Sequence, residues 1–87
     1  MIIHLTASYE RKHKKLIKKN FKLRDNIKQK LQVFQKNQKH PSLRLHKLSG
    51  KKIEEWSISI TDSIRVIFQY IPEGIVLTDI GTHDEVY

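Results

Sequence analysis

Residues 56–80, WSISITDSIRVIFQYIPEGIVLTDI, decide the fold. Trp56, Ile58 and Ile60 alternate with Ser57, Ser59 and Thr61, the pattern of a strand with one face on a core and the other in water. Asp62-Ser63 reads as a tight turn, after which Ile64, Val66, Phe68 and Tyr70 form a second alternating face. Pro72-Glu73-Gly74 turns the chain again, and Ile75 to Ile80 makes a third strand. Short turns between neighbouring strands predict an antiparallel meander.

Working outward, Ile2, Ile3 and Leu5 predict a short first strand, with Thr6 or Ser8 able to cap a following helix that runs to about Asn20. The apolar stripe of that helix is Tyr9, Leu16, Ile17 and Phe21, set among Arg11, Lys12, Lys14, Lys15, Lys18 and Lys19. A second helix from about Leu23 to Asn37 carries Leu23, Ile27, Leu31 and Phe34 at helical spacing, widened by Val33. A short connection at Asn20 to Lys22 lets the pair form a hairpin with both stripes on one sheet face. The linker Lys36 to Ser42 contains His40-Pro41, and proline biases its predecessor away from helix. The expected fold class is therefore α+β. An N-terminal strand and a two-helix hairpin pack on a three- to four-stranded antiparallel sheet, in a single domain over residues 1–87.

Eighty-seven residues support one small two-layer core and no deeply buried cofactor, so any site lies near the surface. Cysteine is absent, which removes disulfides, thiolate metal sites and a cysteine nucleophile, and fits a reducing compartment. The N-terminus meets charge too soon for a signal peptide or a membrane span, so the expected location is cytoplasmic, with no membrane partner. The net charge of +8 conceals a division. Residues 1–52 hold 16 Lys and Arg against Glu10 and Asp25, a formal +14, whereas residues 53–87 hold Arg65 against seven acids, a formal −6. A surface so one-sided in sign faces a polyanion, which it holds through salt-sensitive phosphate contacts. Lys14, Lys15, Lys18 and Lys19 on the first helix are candidates for that contact; the plainer account is a solvated helix face.

The C-terminal half supplies His46, Arg65, His83 and Tyr87 on or beside the predicted sheet. Cleaving RNA through its own 2′-hydroxyl needs a proton acceptor, a proton donor and a cation at the phosphate, which imidazole and guanidinium groups provide without a metal or other cofactor. Arg65 falls one residue out of phase with Ile64 and Val66, so it projects from the opposite face; a salt bridge to Asp62 or Asp79 is its structural alternative. Asp84 and Glu85 beside His83 do not read as a metal site, because adjacent side chains splay apart and no second ligand pair has suitable spacing. Thr82 and Ser49 have no base at a telling spacing, and Gly50, Gly74 and Gly81 form no phosphate loop.

Four fragments, Leu45-His46-Lys47-Leu48-Ser49-Gly50, Trp56-Ser57-Ile58, Arg65-Val66-Ile67-Phe68 and Gly81-Thr82-His83-Asp84-Glu85-Val86-Tyr87, together resemble the RelE/ParE toxin superfamily over essentially the whole chain. The ending GTHDEVY is similar to the RelE and YafQ branch, whose members cut messenger RNA in the ribosomal A site. The resemblance implies a RelE-like fold, a toxin of a type II toxin-antitoxin system, and three partners: ribosome, message and a cognate antitoxin. It implies 2′-hydroxyl attack that leaves a cyclic phosphate and a free 5′-hydroxyl. By position it makes His83, behind a flexible Gly81, the proton donor to the leaving group, and His46, in an H-x-L-x-G run, the general base. Arg65 would neutralise the phosphate, and Tyr87 would stack on a base or join the proton network. Lys47, Lys51 and Lys52 flank the site as RNA-positioning candidates. One departure stands out: YafQ-like members add a histidine in the strand of Ile58 and Ile60 and a nearby acid, where this chain offers Ser57, Ser59 and Thr61. The alternative reading is the ParE branch, a non-nucleolytic inhibitor of DNA gyrase, which has no need of a proton donor at His83. An acidic, disordered antitoxin segment would suit the basic surface in either case.

Overall fold

The computed structural model describes all residues, Met1–Tyr87. Strand β1 (Ile2–Leu5) leads into helices α1 (Ala7–Lys19) and α2 (Phe21–Lys36), then a 3-10 turn at Pro41–Leu43. Strands β2 (His46–Lys47), β3 (Trp56–Ser59), β4 (Ile64–Ile71) and β5 (Gly74–Thr82) follow, and α3 (His83–Val86) closes the chain. The sheet order is β1-β5-β4-β3-β2. The expected α+β architecture is present, with four antiparallel strands and β1 added parallel to β5, which makes a five-stranded mixed sheet.

Helix boundaries follow from side-chain caps. Thr6 Oγ1 accepts the Tyr9 amide at 3.1 Å and so begins α1, while its own proton goes to the Leu77 carbonyl, also at 3.1 Å, which pins the helix start to β5. Asn20 alone connects the helices: its amide donates to the Ile17 carbonyl and its side chain accepts from the Leu23 amide at 3.2 Å. The connection is thus one residue, shorter than the expected Asn20 to Lys22. Because the extended backbone of Asn20 resets the helical phase, Phe21 opens α2 instead of continuing the α1 stripe, and it is 76% exposed rather than core.

The core lies between the helix pair and one sheet face. Tyr9, Leu23, Ile27 and Phe34 come from the helices, and Ile58, Val66, Phe68, Ile75, Leu77 and Ile80 from the strands, with Phe34 and Phe68 edge to face at 5.2 Å. Strict alternation from Ile75 would turn Asp79 inward. The pairing of β4 with β5 instead slips after Ile67, which opposes Asp79 while Phe68 opposes Leu77, so Thr78 is the extra residue of a bulge. That slip changes the phase by one and brings Ile80 to the core beside Val66. Ile67 and Val86 are buried outside this core, where α3 folds back on the sheet. Gly81 permits the return: a Cβ there would stand 3.2 Å from Val86 Cγ1. It is therefore a buried strand residue paired with Arg65, not the flexible lead-in expected from sequence.

Candidate active site

Cross-strand register places the site. His46 opposes Ser57, Ser57 opposes Ile67, and Arg65 lies two residues before Ile67, so all four share the sheet face turned away from the helix pair. On that side α3 and the chain end bring His83 and Tyr87 beside His46. The three line one cleft of about 330 Å³ with Lys47, Leu48, Ser49 and Lys51. Tyr87 sits between the imidazoles, its ring centroid 4.2 Å from His83 and 5.7 Å from His46, edge-on to both. Its hydroxyl lies 3.1 Å from His46 Nε2 and also bonds Ser57 Oγ. His46 Nδ1 is 3.0 Å from the Arg44 carbonyl, and Arg44 is the one non-glycine residue in left-handed backbone, at φ 48°.

His83 is the first residue of α3, and its side chain is 62% exposed with Nδ1 3.5 Å from Asp84. The turn that presents it is fixed by Glu85, whose Oε1 accepts the Thr82 amide at 2.8 Å. That amide, then the Thr82 side chain, holds the Glu85 carboxyl below the usual carboxylate range although the group is exposed. Glu85 is thereby an acceptor across the neutral range and serves the backbone of the turn, while the exposed Asp84 faces the His83 ring.

Arg65 does not line the cleft. Its Nη1 donates to the carbonyls of Thr61, Asp62 and Ile64 at 2.8, 3.0 and 3.2 Å, which ties the guanidinium to the β3–β4 turn. It forms no ion pair with Asp62 or Asp79; Asp79 instead takes Lys12 at 2.7 Å. Among the lysines, Lys51 is in the cleft, Lys47 lines it while paired to Glu54 at 2.9 Å, and Lys52 is exposed outside it. Lys14, Lys15, Lys18 and Lys19 are all exposed on α1. Lys15 lines, with Lys12 and Leu16, a second cavity that reaches Gly81 and Glu85, so the basic helix face borders the C-terminal segment.

Two contributors were missed by sequence reasoning. Ser57 reads only as the polar side of a strand, and the Arg44 carbonyl has no side-chain signature. Both emerge from strand register and a left-handed turn, which single-sequence patterns do not encode. As to a metal, no group of three or more His, Asp or Glu side chains is placed to hold one. No helix is long and apolar enough to cross a membrane.

Comparison with known proteins agrees with this architecture. Among solved structures, a metal-bound toxin from Helicobacter pylori is 18% identical with a TM-score of 0.80, covering 100% of this chain and 99% of that one. The YoeB/ParE toxin from Agrobacterium tumefaciens is 15% identical with a TM-score of 0.80, covering 95% and 99%. YafQ in the E. coli DinJ-YafQ toxin-antitoxin complex is 18% identical with a TM-score of 0.78, covering 99% and 96%. At these identities the likeness speaks for the fold. No curated protein matches by sequence. A family profile described as the bacterial toxin of type II toxin-antitoxin system, YafQ, matches residues 1–87 in full. With strand order, helical hairpin and C-terminal cleft all in place, this chain belongs to the YafQ family of type II toxins.

Proposed function

We propose that this toxin is a ribosome-dependent messenger RNA endoribonuclease that cleaves by attack of the 2′-hydroxyl on the adjacent phosphodiester. The observation that carries the proposal is the meeting of His46, His83 and Tyr87 in one cleft. His46 is the base, through its Nε2 and the Tyr87 hydroxyl bonded to it. His83, whose Nε2 has no protein partner, gives a proton to the departing 5′-oxygen. A base and an acid on either side of a phosphate complete acid-base catalysis without a further cofactor, an arrangement worth roughly 10²–10⁴-fold per positioned group. Lys51 is the cation in the cleft, and Arg65, on the same sheet face, serves the phosphate next along the RNA. Lys52 and the exposed α1 lysines Lys14, Lys15, Lys18 and Lys19 hold ribosomal RNA or message without reading its sequence.

The natural partner that restrains such an enzyme is a cognate antitoxin. YafQ of E. coli was crystallised with DinJ, and a basic face with an exposed cleft favours an acidic cover here too. The work of a ribosome-directed toxin places it in the cytoplasm. The test is to induce the wild type and His83→Ala and map the 5′ ends of cellular messages by primer extension. New 5′-hydroxyl ends within translated codons, absent in the variant, are expected. Intact messages with relaxed or broken DNA would overturn the nuclease reading in favour of gyrase inhibition.

A further inference from the structure

Hydrogen-bond chemistry gives the His46–Tyr87 pair a direction. A carbonyl oxygen only accepts, so the Arg44 carbonyl at 3.0 Å requires the proton of neutral His46 to be on Nδ1. Nε2 is then an acceptor, and the Tyr87 hydroxyl 3.1 Å away donates to it. The phenol oxygen is left to accept, and the hydroxyl that faces it is Ser57. The result is a one-way wire from Ser57 through Tyr87 to His46, ending on the Arg44 carbonyl. Ser57 is fully buried, it does not line the cleft, and Tyr87 is the side-chain partner of its hydroxyl. A buried hydroxyl without a partner is costly, so each of the two groups holds the other in place.

We propose that Ser57 is a positioning residue for RNA cleavage, acting with the Arg44 carbonyl to clamp the Tyr87–His46 pair in the proton order the reaction needs. This rests on the nuclease reading above. In the step, the substrate O2′–H proton passes to Tyr87 Oη as the phenol proton passes to His46 Nε2. The O2′–P bond forms, the P–O5′ bond breaks, and a proton from His83 goes to O5′. Once His46 is an imidazolium its Nε2 donates back to Tyr87, and the phenol can then donate to Ser57. Serine is both donor and acceptor, so the wire reverses without moving a heavy atom.

The test combines a double-mutant cycle with the state of one ring. Single-turnover cleavage of a short message on programmed ribosomes is measured for wild type, Ser57→Ala, Tyr87→Phe and the double variant. Long-range nitrogen–proton NMR of the free toxin reports the His46 tautomer. Ser57→Ala is expected to lower kcat by about 10- to 100-fold with KM unchanged. In the Tyr87→Phe background the same change should cost less than about twofold, because the interaction is already gone. Wild-type His46 should carry its proton on Nδ1 and keep it there in both single variants, because the Arg44 carbonyl that sets the tautomer is unchanged. Wild-type kcat in Ser57→Ala, an equal cost in both backgrounds, or a wild-type Nε2–H ring would overturn the proposal. A wild type that cuts no RNA overturns the nuclease reading and the catalytic role of Ser57 with it; the ring measurement shows separately whether the wire exists. Should Ser57→Ala fold poorly, Ser57→Cys, which keeps a side chain of similar shape but only a weak donor toward Tyr87, carries the same expected loss in kcat.

Discussion

The helical hairpin and the C-terminal edge of the sheet are built on opposite plans. The hairpin carries charge without chemistry: exposed lysines on two helices whose only acids are Glu10 and Asp25. The sheet half carries the chemistry, and several of its acids are held in place by specific partners. Glu85 binds the Thr82 amide, Asp79 takes Lys12, Glu54 takes Lys47, and Glu55 accepts from Thr78. Of the acids behind the formal −6, Asp79 and Glu54 are thus paired with lysines, and Glu85 and Glu55 are held by neutral donors. Binding a polyanion spreads over many replaceable contacts, whereas proton transfer depends on a few atoms at fixed distances. The two regions should therefore fail differently when altered.

The largest effect is expected in the cleft. His83→Ala should reduce cleavage by about 10²–10⁴-fold while leaving thermal stability unchanged, since the ring is mostly exposed; kinetics and calorimetry on the same preparation check both. Below the cleft, Phe34→Ala removes a fully buried ring from the contact with Phe68 and should cost about 3–5 kcal/mol in denaturant unfolding. Gly81→Ala tests whether α3 must lie close to β5. The added methyl meets Val86 and Glu85 at 3.2 and 3.1 Å, so His83 and Tyr87 shift and kcat should drop on the order of tenfold. Loss of stability with unchanged kcat would show that the close approach serves packing alone.

The hairpin should respond by degrees. Changing Lys14, Lys15, Lys18 and Lys19 to Gln should lower RNA affinity and flatten its dependence on log salt by roughly 3 if all four meet phosphates. Cleavage at saturating substrate should stay near wild type. A large fall in kcat would erase the division between binding and chemistry. The smallest effect concerns His13, whose ring lies against Tyr9 at 5.6 Å in the groove between the helices. Burial lowers its pKa from the ordinary 6.5, so the unfolded chain binds the proton more readily. Its contribution to stability is full above about pH 6.5 and is lost as pH falls through that value toward the folded pKa. Stability measured against pH should decline less steeply in His13→Gln.

Much of this was legible in the sequence, for reasons that also explain what was not. Alternation in Trp56–Ile60 and Ile64–Tyr70 is a local property, and the strands and the core face they predict are present. The bulge at Thr78 and the parallel pairing of β1 depend on distant partners, so neither has a local signal. Phe21 was misplaced because one asparagine ended a helix that its hydrophobic spacing would have continued. In the site, the motifs around His46 and His83 pointed to residues the fold brings together, with Tyr87 between them. Arg65 was read to the right face but not to the right neighbours, since a strand position says nothing about which carbonyls its side chain will meet. Ser57 first reads as the lack of a relative's histidine. Opposite His46 and bonded to Tyr87, it is instead a working part of the cleft's support.

The most direct test of the central claim is the chemistry of the cut ends. A synthetic message on programmed ribosomes is cleaved by the wild type in water enriched in heavy oxygen, and the fragments are weighed by mass spectrometry. Attack by the 2′-hydroxyl predicts a 2′,3′-cyclic phosphate on one fragment and a 5′-hydroxyl on the other, with no heavy oxygen in the initial product. A 5′-phosphate, or a phosphate that carries heavy oxygen from the first turnover, would mean that water is the nucleophile and would contradict the assignment of His46, Tyr87 and His83.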